Sequence, residues 1–209
     1  MSDGFPTAPR ALRDPAALAR RRALLDPANP LVAYAASLRQ SDMEVPDFDP
    51  LNGRSGVRLL FLLEKPGPMT SATRSGKRPG SGLISPDNDD PTAEAAFGFL
   101  QAAGVDRSRV AFWNVIPWWN GTIHVTRTEH RAGLAALAGL LDPLTDLEGV
   151  VLVGNRAGEA EEPLRASGLA VARSAHPSSQ VRASRRALWE AIPVTWAEAA
   201  RVSRAHVNA

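Results

Sequence analysis

Four short apolar runs, at residues 57–63, 110–116, 150–153 and 169–172, alternate with helical patterns and constrain this fold more than any other feature. Each run is nearly continuous and bounded by Gly, Pro or polar residues, the pattern of strands buried on both faces. Helical patterns separate them. Residues 92–103 follow Asp90-Pro91, which supplies an N-terminal turn with proline at the helix start. Residues 128–141 place Leu134, Leu137, Leu140 and Leu141 on one face, residues 155–166 follow Gly154, and residues 178–191 follow His176-Pro177-Ser178. Strand and helix in alternation predict a parallel sheet covered on both sides. The expected fold is therefore α/β: a three-layer α/β/α domain over residues 51–209 around a central four-stranded parallel sheet. Two alanine- and arginine-rich patterns, at about 15–25 and 30–40, predict a helical N-terminal extension over residues 1–50. Residues 71–90 are rich in Gly, Ser, Pro and charge, a long connection of the kind that carries function.

Composition narrows the chemistry. The 209 residues suffice for one sizeable domain and are few for two. Cysteine is absent, which removes disulfides, thiolate zinc sites and cysteine-held iron–sulfur clusters together. His124, His130, His176 and His206 show no metal-ligand spacing, so neither a metal nor another cofactor is expected. No apolar run approaches the roughly 20 residues that span a bilayer, and the N-terminus lacks the apolar core of a signal peptide. The expectation is a cytoplasmic protein without a membrane partner.

The net charge is only +2, so the distribution of charge says more than its sum. Lys65, Arg74, Lys77 and Arg78 lie between Glu64 and Asp87 with no acid among them. Arg165, Arg173, Arg182, Arg185 and Arg186 do the same between Glu162 and Glu190. Two basic loops beside one site would suit a phosphate backbone.

Three polar signals sit where strands should end: Leu63-Glu64-Lys65-Pro66-Gly67, the Asn114 of Phe112-Trp113-Asn114-Val115-Ile116-Pro117, and Ala175-His176-Pro177-Ser178-Ser179-Gln180-Val181-Arg182. Open parallel sheets bind ligands outside the carboxyl ends of their strands, where these signals would converge. Pro66-Gly67 forces a turn and lets backbone N–H groups approach a ligand. Asn114 carries a donor and an acceptor on one flat group, matching a pyrimidine edge. A histidine can hydrogen-bond a base carbonyl and stabilise charge on a departing base, while a carboxylate orients water.

In order and spacing, these signals resemble the uracil-DNA glycosylase superfamily. Its members carry G-Q-D-P-Y or G-E-A-P-G after the first strand, an asparagine-bearing middle strand and a final H-P-S loop. Gly82-Leu83-Ile84-Ser85 is similar to the family's G-L-C-F-S segment, whose phenylalanine stacks on the base. The resemblance spans roughly residues 57–189. It implies that His176 binds the base carbonyl and stabilises the departing uracil anion, and that Asn114 reads the pyrimidine edge. Lys65, Pro66, Gly67, Ile84 and Ser85 complete the base site. Lys65 falls in the aspartate slot of G-Q-D-P-Y, so the water-orienting carboxylate is Glu64 or one of Asp87, Asp89 and Asp90. Ile84 takes the stacking slot, where Trp113, Trp118 or Trp119 would have to compensate.

An extruded base leaves a gap and a bent backbone behind it. Ser178 and Ser179 would donate to phosphate oxygens, Gln180 or Val181 would fill the vacated stack, and Arg182 and Arg185, with Arg186, would track the strand. The expected function is hydrolysis of the N-glycosidic bond of uracil in DNA to leave an abasic site, by a monomer. The partner is DNA containing uracil. No lysine is placed for a Schiff base, Lys65 being the one residue able to overturn that. The rivals are a non-catalytic nucleic-acid-binding module on the same scaffold and a nucleotide- or nucleoside-binding α/β protein.

Overall fold

A computed structural model of the protein describes residues 7–39, 43–54, 56–73 and 79–206. Of the basic loop residues, Arg74, Lys77 and Arg78 lie outside the described residues. In chain order the elements are α1 (Pro15–Arg22), α2 (Pro30–Ser37), β1 (Asp47–Phe48), β2 (Leu59–Leu63), β3 (Leu83–Ile84), α3 (Pro91–Ala102) and β4 (Val110–Asn114). There follow α4 (Arg127–Leu141), β5 (Gly149–Val153), α5 (Glu161–Ala166), β6 (Ala170–Ser174), α6 (Ser179–Ser184), α7 (Arg186–Glu190) and α8 (Ile192–Val202).

The four expected runs form one parallel sheet in the order β4-β2-β5-β6. Leu63 stands opposite Asn114 and Val153 opposite Ser174, so the strands end nearly flush along one edge. Successive residues on β4 face opposite ways. Phe112 stacks on Phe61 at 4.7 Å and meets Trp196 of α8, while Trp113 stacks on Phe48 at 3.9 Å and meets Tyr34 of α2. The protein is thus mixed α/β, with a four-stranded parallel sheet flanked by helices, consistent with an α/β/α fold.

Sequence patterning misjudged three places. β6 is half exposed, unlike β2, β4 and β5, because it is the last strand of the sheet and has a neighbour on one side only. The helix expected over 178–191 breaks at Arg185, whose φ of −142° and ψ of 58° are not helical, leaving α6 and α7. The chain beyond residue 191 then forms α8, whose Trp196 is fully buried and donates Nε1–H to Ser174 Oγ at 3.0 Å.

The small parallel pair β1–β3 carries Ile84 and the start of the 85–90 turn. A buried charge cluster holds that turn. Arg21 of α1 bonds Asp49 at 2.6 Å and Asp87 at 2.8 Å, and Arg107 bonds the same two carboxylates at 2.7 and 2.6 Å. Two guanidinium forks against two carboxylates leave few unmatched donors or acceptors, the condition under which buried charge is tolerated. Each carboxylate is fully buried, and together they raise the Arg21 pKa further despite its desolvation.

Candidate functional site

At the flush edge, the segments leaving the strands surround a cavity of about 500 Å³. After β2 come Lys65, Pro66 and Gly67. Asn114 ends β4, Val153 ends β5, and His176-Pro177 follows β6. The 84–93 turn and the start of α3 close the remaining side. Gly154 packs beside His176 in the left-handed backbone region that favours glycine. Its φ is +91°, and an added Cβ would lie 3.4 Å from His176 Cβ and 3.5 Å from the ring. A cavity of this size, mostly apolar with few polar groups, is the ordinary form of a small-molecule site.

The sequence-derived residues Lys65, Pro66, Gly67, Ile84, Ser85, Asn114 and His176 all line this cavity. Asn114 is 3% exposed, and its side chain makes no hydrogen bond to any described residue. A buried amide normally has partners, so an unmatched one facing a cavity leaves a donor and an acceptor open to it. The His176 imidazole also has no hydrogen-bond partner among the described residues. Burial lowers its pKa below 6.5, and the negative Glu64 nearby offsets this only in part. The ring is therefore neutral at pH 7, with one N–H to donate and one lone pair to accept.

Other side chains are committed elsewhere. Glu64 is absent from the cavity lining; its carboxylate binds Arg156 at 2.5 Å, and the pair bridges the ends of β2 and β5. Lys65 contributes to the wall, but its ammonium donates to Asn120 at 2.8 Å, the His124 carbonyl at 3.2 Å and Glu129 at 2.6 Å. These three contacts turn the Lys65 side-chain end toward the 120–124 loop and α4 and tether that loop. The Ser85 hydroxyl donates to Asp49 and accepts from the Asp87 N–H. Among the three alternative carboxylates, Asp87 belongs to the buried arginine cluster and Asp89 faces Arg10, whereas Asp90 lines the cavity. Asp90 caps α3, accepting from the Thr92 and Ala93 N–H groups, and burial nevertheless raises its pKa.

None of the tryptophans proposed to replace the stacking aromatic reaches the cavity. Trp113 faces the opposite side of the sheet, Trp119 is buried, and Trp118 donates to Glu129. Phe112 and Trp196 line it instead. Phe112 was legible, since it stands two residues before Asn114 and shares its face. Trp196 carried no such signal. Asn88 and Ile123 were among the other lining residues missed. Asn88 is 2% exposed, and its Oδ1 has no partner among the described residues. Ile123 is 77% exposed at the mouth.

The His-Pro-Ser loop runs from this cavity to the surface. Ser178 caps α6 by accepting from the Val181 N–H at 3.3 Å, and Ser179 and Gln180 are exposed, with Val181 half-buried. Arg165 and Arg173 share Glu161, and Arg186 pairs with Glu190, so much of the basic stretch is neutralised locally. Arg182, lying over Trp189 at 5.9 Å, and Arg185 make no ion pair among the described residues. Among those residues no group of His, Asp and Glu is arranged to hold a metal ion. No described helix is long and apolar enough to cross a membrane.

Fold and site define the class as an α/β protein with a largely apolar, amide- and imidazole-lined cavity at the carboxyl edge of its parallel sheet. No protein-family model matches the chain, and no curated protein is significantly similar to it.

Proposed function

We propose that this protein is a divergent member of the uracil-DNA glycosylase superfamily that hydrolyses the N-glycosidic bond of uracil in DNA and leaves an abasic site. The observation that carries the reading is the unpartnered Asn114 amide and the unpartnered His176 imidazole lining one cavity with Phe112 and Trp196. A flat heterocycle bound there would meet aromatic side chains and hydrogen-bond Asn114 along its edge. The His176 N–H would donate to a base carbonyl as negative charge grows on it. Water adds to the anomeric carbon, the bond from that carbon to the ring nitrogen breaks, and the base departs with the bonding electrons. The water's proton passes to a carboxylate.

Asp90 is the carboxylate that lines the cavity, and Glu64 stands at its border under the hold of Arg156. The engaged Lys65 ammonium supports a monofunctional enzyme that leaves the strand intact. In this reading a helical N-terminal extension precedes a three-layer α/β/α domain. The protein acts as a cytoplasmic monomer, its partner is uracil-containing DNA, and it uses no cofactor. Ser178 and Ser179 meet phosphates, Arg182 and Arg185 track the strand, and Gln180 or Val181 fills the space left by the base.

The test is an end-labelled strand with a single deoxyuridine. Release of free uracil, with cleavage only after alkali, is the expected result. Binding with no release would favour the second reading, a non-catalytic nucleic-acid-binding module, for which the capture of Glu64 by Arg156 speaks.

A further inference from the structure

Beyond the Glu64–Arg156 pair lies a second depression, of about 490 Å³, lined by Val125, Arg127, His130, Arg131, Arg156 and Glu159 with two neighbours. Arg127 and Arg131 are four residues apart on α4 and so share a face. Both are exposed, and neither has an ion-pair or hydrogen-bond partner among the described residues. Arg156 enters from the turn after β5 and reaches Glu64 with one guanidinium nitrogen. Within the groove three guanidinium groups face one carboxylate, Glu159, which lies 3.5 Å from His130 Nδ1. The His130 Nε2 atom is buried and unmatched. The groove abuts the cavity: Ile123 lines one and Val125, two residues on, lines the other.

We propose that this groove binds phosphate groups of the nucleic-acid strand whose base occupies the cavity. The inference rests on the glycosylase reading and adds to it a second strand-binding surface, built from α4 and the turn after β5. Arginine forks match phosphate oxygens two at a time, and free arginines on one helix face form no competing internal pair. A strand held at a second surface beside the cavity is fixed in register before any base enters it. Because Arg156 lines the groove and holds Glu64, a phosphate in the groove would also compete with Glu64 for its guanidinium.

The experiment is a salt titration of binding to a fluorescent duplex, with and without one deoxyuridine, by wild type, Arg127→Ala/Arg131→Ala and Arg127→Lys/Arg131→Lys. Each lost phosphate contact removes about 0.9 from the slope of log K against log salt. The alanine pair should lower affinity and flatten the slope by about one to two, while the lysine pair keeps the slope. An unchanged slope in the alanine pair would overturn the proposal, as would failure of the wild type to bind any strand at low salt. Displacement of the duplex by millimolar inorganic phosphate at constant ionic strength would also overturn it, because the groove would then hold a free small anion. Uracil release is scored separately. A flattened slope without release in the wild type leaves the groove standing and removes the glycosylase reading, whereas release with an unchanged slope removes the groove alone.

Discussion

His176 loses most of its hydration in the cavity wall, and this dominates its titration. Its folded-state pKa lies below the ordinary 6.5, so the folded protein binds fewer protons than the unfolded chain just below that value. The stability contribution is therefore fully present above pH 6.5 and is lost as pH falls through the depressed pKa. Asp90 moves the other way: its raised pKa lets the folded state hold a proton that the unfolded chain releases, which favours folding at low pH and fades as pH rises. In the proposed mechanism both groups work deprotonated. The pH–rate profile for uracil release should then fall only on the acid side, more steeply than one proton allows, and His176→Asn should reduce the limb to one proton with much lower turnover. An acid limb identical in the variant would remove His176 from the reaction. Lys65 lines the cavity, but its ammonium is committed to partners that the motif does not reveal. Its neighbours in sequence suggested a base-binding role, yet its three acceptors lie 55 to 64 positions further along the chain.

Among the elements, α1 is the unexpected contributor. Its Arg21 ties a helix distant in sequence to the turn that carries Ser85, Asn88 and Asp90, and so supports one wall of the cavity. Arg21→Ala leaves Asp49 and Asp87 sharing Arg107 alone in a buried setting, a change that costs about 3–5 kcal/mol. Urea titration should show the midpoint falling accordingly, and a change under about 1 kcal/mol would mean the cluster is not the tether described. Strands β2, β4 and β5 were legible because both faces are buried and the runs are continuously apolar. The helix after His176 was legible only in part. Its apolar spacing continues across Arg185, and nothing in that spacing marks the backbone break that separates α6 from α7.

At the scale of the molecule, the order β4-β2-β5-β6 decides where chemistry can occur. The chain places β4 on one side of β2 and β5 on the other, and the reversal opens a crevice at the strand ends. Glu64 and Arg156 span that crevice, with the cavity beside them. Free uracil, as the released product, should bind there. At about 100 times its Kd it should stabilise the fold by about 2.7 kcal/mol, read as a higher melting temperature in calorimetry. Asn114→Ala should abolish the shift while leaving a cooperative transition, and absence of any shift in the wild type would argue against a pyrimidine site.

The amino-acid sequence by itself determined the parallel sheet and the presence of Asn114, His176 and the 65–67 turn at its carboxyl edge, because strand periodicity and strand ends are local properties of the chain. Only the tertiary structure decided that Glu64 is held by Arg156, that Lys65 and Ser85 are spoken for, and that Phe112, Asp90 and Trp196 line the cavity. Those outcomes depend on which distant segments meet, and pairing of charges and rings across the sheet leaves no trace in local spacing.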